Sequence, residues 1–575
     1  MKQYTFILLL LTALFVLNND IQAQNDDKKY NETVIVTSTF NPIVSEAKKI
    51  DENGTVLETD IKKEKLNIQP LNKPFHTYVP VETIKPANVK GEPLEMLYNT
   101  HIAAGIGTYF TPYLDVTYSQ TRSRTFIYSA HARHYSSLWA KMKDVAHSAF
   151  ADNDIDLYAK RIWNNCFIDG SFFYSYDRNY WYGFNPDNYN TDFAISDYRL
   201  DWQNVGFRIN YGSLYRENNK LNHSAKLDFQ YTTSRFGISE LGFVIGASAN
   251  KNFNFWTGDI QTLGLNIDYK LKIYGNEYDM LPYYTSFSMP VPLPSSKNID
   301  NGKLTINPYF DFSLPQVKKL KIHTGFFVIP TFENETKVFL LPQVYAFYPV
   351  IDNLLHVKAG VIGALLRRSL NPAKIENPYI SPFVLLKGEK LITTFIQINS
   401  NPQASVSMQL NLGIDFFENK GFFTLDPLAG LHNMFILTYD NGKRYYTKYQ
   451  LSYSILSNLN LNFDAQLQSF EMKTLKHAWY QPVFSTHLQM EYIIAKKLRL
   501  QFTPSFYTSN KALNENNEIK TLKPRISIDC AAQYDMNKQL SFFINLNNLA
   551  FQRQYQYIYY PSQRFMGMIG AKLAL

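Results

Sequence analysis

The chain has 575 residues, of which 45% are hydrophobic and 15% aromatic, including 41 Tyr and 42 Phe. Its formal net charge of +8 arises from 57 basic and 49 acidic residues that are spread along the chain. Because the basic residues form no concentrated block, nucleic acid is excluded as an expected partner. Beyond the N-terminal region no long apolar stretch follows, which excludes a bundle of transmembrane helices.

The N-terminal residues 1–23 have the pattern of a secretory signal peptide. A lysine near the start precedes an apolar run from Phe6 to Leu17, and the segment ends in Ile-Gln-Ala before Gln24. The run is too short to cross a bilayer as a helix, and small residues are typical of a cleavage site. The sequence therefore predicts an exported protein. Its two cysteines, Cys166 and Cys530, are far apart and are interpreted as lone small side chains rather than as a metal site; the alternative is that they pair with each other.

Residues 24–98 differ from the rest of the chain. Charged segments such as DDKKYNE and IKKEKLN are followed by a stretch punctuated by prolines. Since a residue before proline favours extended backbone, we expect an extended periplasmic leader with little packing of its own.

From residue 99 to residue 575 the sequence alternates between apolar and polar residues. Leu540, Phe542, Ile544 and Leu546, for example, alternate with polar residues such as Ser541. A period of two places successive side chains on opposite faces of a sheet. The pattern predicts an all-β fold, a large transmembrane antiparallel barrel of about 22 strands, within a range of about 16 to 22. Residues 435–456 are expected to form one long, bulged strand.

The connections between these strands fall into two populations. Short polar turns, such as 457–460 and 495–497, alternate with long loops. The long loops are predicted at 137–153, 185–198, 275–302, 367–386, 473–482, 509–522 and 552–563. Short turns at one end and long loops at the other are typical of outer-membrane barrels, whose long loops face outside. Aromatic groups at 181–185 and 477–480 are interpreted as part of an interfacial girdle; the alternative is a surface that stacks on sugars or binds a partner.

The C-terminal sequence SFFINLNNLAFQRQYQYIYYPSQRFMGMIGAKLAL resembles the last two strands of TonB-dependent outer-membrane receptors. The match lies in Asn545–Leu549, Tyr560, Pro561, Arg564 and Phe565. The closing strand places Phe565, Ile569, Ala571, Leu573 and Leu575 on one face. Members of this family usually end on an aromatic residue, whereas this chain ends on Leu575. The resemblance implies a barrel in the outer membrane of a Gram-negative bacterium, in contact with outer-membrane lipid.

The segment ETVIVTSTFNP, residues 32–42, resembles the TonB box of the same family. Its β-branched residues Thr33, Val34, Ile35, Val36 and Thr37 suit strand addition to a partner. The resemblance implies binding of TonB, or of another periplasmic protein, through residues 32–38. The alternative is that this segment is only an extended apolar patch in the leader.

No full plug domain is expected between the TonB-box-like segment and the barrel. A plug is a compact domain of about 100 residues or more, whereas the stretch between Pro42 and Tyr98 is short and has glycine only at positions 54 and 91. The family's plug-gated import mechanism is therefore not carried over to this chain.

The sequence offers no catalytic, cofactor or metal site that we can identify. His131 and His134 lie on opposite faces of a predicted strand, so they cannot share a metal ion. Two functions remain: a solute-transport pore whose lumen is blocked by long loops or by the leader, and a structural or accessory barrel subunit of an outer-membrane complex. The second function implies other outer-membrane subunits or surface lipoproteins as partners. An enzyme ranks well below both.

Overall fold

The structure is a computed structural model that describes residues 97–120, 122–137, 148–185, 199–215, 220–254, 260–276, 299–314, 317–332, 336–382, 384–400, 405–427, 429 and 431–575. These residues belong to one compact unit, Pro93–Leu575. The signal peptide and the leader up to residue 96 lie outside the described residues. The expectations of a TonB-box-like segment and of a missing plug therefore stay predictions.

The described chain is almost entirely β-strand. In chain order the strands are β1 Thr100–Gly107, β2 Thr111–Gln120, β3 Phe126–Ser137, β4 Phe150–Ile162, β5 Cys166–Tyr180, β6 Arg199–Ser213, β7 Asn222–Ser234, β8 Ile238–Phe253, β9 Gln261–Asn276, β10 Ile299–Leu314, β11 Val317–Phe332, β12 Thr336–Ile351, β13 Leu355–Arg367, β14 Gly388–Ser400, β15 Val406–Leu425, β16 Phe435–Leu456, β17 Leu459–Met472, β18 Phe484–Ile494, β19 Leu498–Tyr507, β20 Asn510–Leu513, β21 Ile519–Leu522, β22 Arg525–Asp535, β23 Leu540–Asn547, β24 Tyr555–Tyr557, β25 Tyr560–Pro561 and β26 Met566–Ala574. A short helix, α1, spans Leu370–Glu376 between β13 and β14. No helix among the described residues is long and apolar enough to cross a membrane.

Twenty-two of these strands form one closed antiparallel barrel, which confirms the predicted fold and strand number. Neighbours along the chain pair with each other, and β26 pairs with β1 from Ala574–His101 to Met568–Gly107, which closes the ring. The hairpins β20–β21 and β24–β25 lie outside the barrel sheet. Closure leaves no unpaired strand edge, as a membrane interior requires.

The two faces of the barrel wall differ as the alternating sequence predicts. On β4, Ile155 and Leu157 are large apolar side chains exposed on the outer face. Asp154 and Asp156 alternate with them on the inner face, where Asp154 pairs with Arg133 and Asp156 lies 3.4 Å from His131. The outer face is therefore suited to lipid and the inner face to water.

The strands differ widely in length, and the longest ones extend beyond the others at the end of the barrel that carries the long loops. This end is here called the outer end. β1 and β23 have 8 residues each, whereas β15 has 20 and β16 has 22. The single long strand predicted over 435–456 is confirmed by β16. The bulge in this pairing lies between Phe417 and Lys420 of β15, where Asn419 has a positive φ of 57°.

Candidate functional site at the outer mouth of the barrel

The long connections pack against each other at the outer mouth. We call this assembly the loop cap; it consists of the described residues of 181–185, 368–387, 426–434, 473–483, 508–524 and 548–565, with the outer ends of β15 and β16. Its core is apolar and aromatic, and its most deeply buried members include Trp181, Leu370, Ile380, Phe422, Met434, Phe435, Trp479 and Tyr560. The loops therefore share a core outside the membrane-spanning wall.

Three tyrosines meet at the centre of the loop cap, each from a different side of the barrel. Tyr182 follows β5, Tyr379 lies between β13 and β14, and Tyr560 lies between β23 and β26. The rings of Tyr379 and Tyr560 stack with centroids 3.7 Å apart. Tyr182 packs edge-on against both, at 4.9 Å from Tyr560 and 5.7 Å from Tyr379.

The three connections that carry these tyrosines lie far apart around the ring of strands, so the contact between them shows how far the loops extend. Going round the barrel, strands β6 to β13 separate the first connection from the second, and the barrel strands from β14 to β23 separate the second from the third. Strands β26 and β1 to β5 separate the third from the first. Loops from three sides of a ring can touch only if they extend across its opening. The loop cap therefore crosses the outer mouth.

Hydrogen bonds tie the tyrosines together, and burial keeps their phenol groups neutral. The hydroxyls of Tyr182 and Tyr379 are 3.3 Å apart, and the Tyr182 hydroxyl also donates to the Pro561 carbonyl at 3.2 Å. Burial raises the pKa of each of the three phenols above its ordinary value. Neutral hydroxyls can donate hydrogen bonds in this apolar core without the cost of a buried charge.

Asn433 joins three parts of the loop cap. This side chain is 2% exposed, and its amide donates to the Trp181 carbonyl at 2.7 Å. Its own backbone carbonyl accepts a hydrogen bond from the Tyr560 hydroxyl. The 426–434 loop is thereby connected both to the segment after β5 and to the loop before β26.

The helix α1 contacts the barrel wall through buried charged groups. Lys374 has a side chain that is 4% exposed, and its ammonium pairs with Asp177 of β5 at 2.5 Å. Glu240 of β8, whose side chain is 3% exposed, accepts hydrogen bonds from the Ser369 hydroxyl and from the Leu370 backbone N–H, and pairs with Lys272 at 2.9 Å. A buried charge without its partner is costly, so these contacts fix α1 against the wall.

The segment that follows α1 forms a short backbone pairing with β16. The backbone N–H of Phe435 donates to the Tyr379 carbonyl at 3.0 Å, and the N–H of Ser381 donates to the Phe435 carbonyl at 2.8 Å. Ile380 and Phe435 form an isolated parallel bridge. The segment from α1 to Ser381 is therefore held at both of its ends.

A further polar contact joins the loop before β22, the loop after β23 and the segment after β5. Glu515 accepts hydrogen bonds from the Asn185 amide at 2.8 Å and from the Tyr559 hydroxyl at 2.5 Å. Burial alone would raise the pKa of Glu515, but these hydrogen bonds outweigh it and hold the pKa below its usual value. The carboxylate thus connects the β20–β21 hairpin to two other parts of the loop cap.

The interpretation of the aromatic groups at 181–185 and 477–480 as an interfacial girdle is wrong. Trp181 is 1% exposed and Trp479 is 3% exposed, and both belong to the core of the loop cap. Girdle residues would instead lie on the outer face, in contact with lipid headgroups. The physical reason is that these residues lie in connections that fold over the mouth, where they pack on other loops.

The residues singled out in the closing strand lie on and beside β26. Ile569, Leu573 and Leu575 are exposed on the outer face. Phe565 precedes the strand and stacks on Phe551 with centroids 5.2 Å apart. Leu575 donates its backbone N–H to the Thr100 carbonyl at 2.8 Å, beside the β1–β26 pairing. The TonB-box-like residues 33–37 lie outside the described residues.

Sequence reasoning did not find the polar residues that hold the loop cap together. Glu240, Lys374 and Asn433 are separated by long stretches of sequence and belong to no recognisable motif. A signal was available for Tyr560, which is part of the C-terminal resemblance, and for Tyr182, which lies in the aromatic group 181–185, whereas Tyr379 carried none. Only the closure of the ring brings these residues together.

The histidines considered as metal ligands bind separate groups. His131 contacts Asp115 at 3.2 Å and Asp156 at 3.4 Å on the inner wall. His134 instead contacts Asn153 at 2.6 Å and Ser136 at 3.0 Å. These are ordinary hydrogen-bonding partners of strand residues.

Comparison with known proteins finds similarity in structure. No protein-family model and no curated protein matches the sequence. The ferripyoverdine receptor of the outer membrane of Pseudomonas aeruginosa, bound to ferripyoverdine, is similar with a TM-score of 0.61 and 13% identity, over 84% of this chain and 72% of that one. A variant of the ferric enterobactin receptor of Pseudomonas aeruginosa, in complex with enterobactin, is similar with a TM-score of 0.58 and 11% identity, over 83% of this chain and 82% of that one.

Both similar proteins are receptors, and at these identities the likeness concerns the fold. It agrees with the resemblance seen in the C-terminal sequence, with the closed ring of 22 strands and with the apolar outer wall. The chain therefore has the 22-strand β-barrel fold of the TonB-dependent outer-membrane receptors.

Proposed function

We propose that the chain is a solute-transport barrel whose outer mouth is closed at rest by the loop cap. The meeting of Tyr182, Tyr379 and Tyr560 across the mouth carries this proposal. A ring of 22 strands is too wide for its own side chains to fill, so it encloses a lumen. Because the inner wall is polar and the mouth is covered, passage of a solute requires the loop cap to move. No catalytic step is part of this proposal.

The element proposed to move is the connection 368–387 with α1. Its contacts to the wall, including those of Lys374 and Glu240, are made by single residues, whereas the strands beside it are fixed by continuous backbone pairing. A gate needs an element that can occupy two positions, and this connection is the element to which we assign that role. Solute binding would open the mouth only if the open arrangement binds the solute more tightly.

Conductance of the purified full chain in planar lipid bilayers tests the proposal. We expect the wild type to stay mostly closed, and the variant Lys374→Ala with Glu240→Gln to open long-lived channels, because α1 then loses both of its charged contacts. Lys448→Gln, a change on the inner wall of β16, serves as the control and is expected to behave like the wild type. Silence of the doubly changed variant, with the barrel correctly folded, would contradict the proposal.

The class of solute is a separate question. The two similar receptors bind ferripyoverdine and enterobactin, so ferric siderophores are the first solutes to test on this chain. We further propose that residues 32–38 bind TonB or another periplasmic protein by strand addition. The β-branched character of residues 33–37 supports this partner.

A role as an accessory subunit of an outer-membrane complex is the second candidate function. It is favoured by apolar side chains that are exposed on the loop cap, away from the lipid-facing wall: Ile375 is 73% exposed, Phe551 58% and Leu385 50%. Exposed apolar side chains outside the membrane can contact another outer-membrane subunit or a surface lipoprotein. Purification in mild detergent followed by mass spectrometry tests this candidate, and a barrel that always purifies alone would contradict it.

A further inference from the structure

A cavity of about 430 Å³ lies on the inner wall at the side of the barrel with the shortest strands. It is lined by residues of β2, β3, β19, β22, β23 and β26. These residues face the lumen, because the residues that alternate with them, such as Phe502, Phe542 and Ile569, are exposed on the outer face. The cavity is thus separate from the loop cap.

The charged residues that line this cavity are all cationic. They are Arg133, Arg499 and Lys572, and among the described residues of the lining there is no carboxylate. The carboxylates of Asp154 and Glu491 lie beyond the lining and pair with Arg133 at 2.5 Å and with Arg499 at 3.0 Å. The cavity therefore presents positive charge to its contents, with the counter-charges set back behind it.

Arg499 and Lys572 keep donor groups for a ligand. The nitrogen of Arg499 nearest to Glu491 is Nε, at 3.0 Å, so the terminal nitrogens of the guanidinium lie farther from that carboxylate. Lys572 donates one hydrogen bond to the Gln533 side chain at 2.7 Å, and an ammonium has three donors. A guanidinium fork with a neighbouring ammonium suits a carboxylate or a phosphate.

The remainder of the lining combines amides with aromatic and thioether side chains. The amides are Gln501, Gln533, Asn545 and Asn547; the apolar part consists of Tyr113, Tyr135, Phe543, Met566 and Met568, with Ala531 and Ala532. The ring of Tyr113 packs edge-on against Tyr135 and Phe543, with centroids 6.2 Å and 6.3 Å apart. Such a lining accommodates an organic body attached to the anionic group, and the volume lies in the range of small-molecule sites.

A second cavity adjoins the first and extends to the end of the barrel with the short turns. Its volume is about 840 Å³, and it shares Tyr113, Gln533 and Lys572 with the first. At the short turns it gains Lys496, Lys497 and Lys538. Its lining also includes two carboxylates: Asp115 of β2, which accepts a hydrogen bond from the Tyr113 hydroxyl at 3.4 Å, and Asp535 at the end of β22. The two cavities form one continuous surface, which runs from the middle of the inner wall to the end of the barrel that carries the short turns. Lys572 lines both cavities.

We propose that this surface binds an organic anion that carries a carboxylate or a phosphate group, with Arg499 and Lys572 as the residues that contact the anionic group. The inference rests on the proposed transport function and names the class of solute that the lumen selects. A cation would meet the ammonium of Lys572 beside two ion-paired guanidinium groups in the first cavity, with no carboxylate among the described lining residues, and a neutral solute would gain nothing from these charges. Since the site is open to water, its affinity should fall as salt screens the charges.

Titration of the purified full chain in detergent with phenyl phosphate tests the proposal, with phthalate as the carboxylate counterpart and with benzamide and benzylamine as the neutral and cationic counterparts. We expect the two anions to bind and the other two probes not to bind. Arg499→Gln and Lys572→Gln should each weaken anion binding roughly tenfold or more, and Arg499→Lys should retain part of it. Lys448→Gln, in a different cavity of the inner wall, should leave binding unchanged.

Three results would overturn the anion site: no binding of either anion to the wild type, equal binding of benzamide, or anion binding that Arg499→Gln and Lys572→Gln leave intact. Correct folding of each variant is checked by its heat-modifiable mobility in electrophoresis. The conductance experiment is independent of this titration. A chain that conducts in bilayers but binds no anion contradicts the anion site alone, whereas anion binding without gated conductance contradicts the transport function.

Discussion

At the level of single residues, the closed state of the mouth depends on close contacts that admit no additional atoms. Gly183 shows this directly, because a Cβ added to it would lie 2.2 Å from the ring of Tyr560. Tyr560 cannot give way easily, since it is stacked on Tyr379 and bonded to the Asn433 carbonyl. The absence of a side chain at residue 183 is thus a requirement of the loop cap.

Gly183→Ala is therefore expected to loosen the loop cap without unfolding the barrel. Displacing Tyr560 by overpacking should cost roughly 1–3 kcal/mol. Hydrogen exchange of the cap segments, followed by mass spectrometry, measures the loss of protection. Gly388→Ala is the matched control, because the nearest atom to its added Cβ is the Leu366 carbonyl oxygen at 3.8 Å. Equal protection of Gly183→Ala and Gly388→Ala would contradict the role given to the tyrosine contact.

At the level of secondary-structure elements, α1 is a short helix whose position depends on charges rather than on its own stability. Seven residues form too few helical hydrogen bonds to be stable alone. Its contacts with β5 and β8 supply the order, through Asp177 and Glu240. A change in either contact should therefore destabilise the whole connection 368–387.

The pair Lys374–Asp177 gives a quantitative test of this helix. Lys374→Met leaves the Asp177 carboxylate without its buried partner and should lower the free energy of cap opening by roughly 3 kcal/mol. Adding Asp177→Leu removes the remaining charge and should recover much of that loss. Hydrogen exchange of residues 368–387 gives the opening free energy of each variant. A double variant as open as the single one would show that the pair does not hold α1.

The contact of Glu515 predicts a dependence on pH for the β20–β21 hairpin. Its pKa is held below the usual value in the folded chain, so its contribution is fully present above the unfolded pKa of about 4.3. That contribution is lost as the pH falls through the lower, folded pKa. Protection of residues 508–524 against hydrogen exchange should therefore decline below about pH 4. Glu515→Gln should remove this decline, and a decline that persists in the variant would assign it to another group.

At the level of the whole molecule, the barrel wall is built from shorter strands on one side than on the other. The strands near the closure, β23, β26 and β1, have 8 or 9 residues, while β15 and β16 extend far beyond them. The long hairpin carries Phe422, Phe423 and Phe435, whose side chains are buried. One tall side of the wall thus provides the surface on which loops from the other sides pack.

Coupling to the periplasm is also a property of the whole molecule. If residues 32–38 bind TonB by strand addition, their deletion should abolish energy-dependent uptake while the barrel still reaches the outer membrane. Uptake of a ferric siderophore by cells that express the deleted chain measures this. Replacing residues 25–31 with a flexible sequence of equal length is the control. Unchanged uptake after deletion of 32–38 would favour the alternative of a merely extended apolar patch.

The class and size of the barrel could be predicted from the amino-acid sequence, because alternation with a period of two is a local property of each strand. Residues 435–456 were recognisable as one strand and residues 540–546 as another for this reason. The C-terminal motif from Asn545 to Phe565 is local as well, so the resemblance to the receptor family is visible in the residues themselves.

The arrangement of the loops, in contrast, depends on the tertiary structure. Tyr182, Tyr379 and Tyr560 are far apart along the chain, and only the closed ring places them at one point over the mouth. Segments rich in aromatic residues, such as those near 181 and 479, are expected both where side chains face lipid and where loops pack on each other. Their burial could therefore not be deduced from sequence. The partners of Lys374 and Glu240 likewise depend on which strands stand opposite each other, which is a property of the barrel and not of any segment.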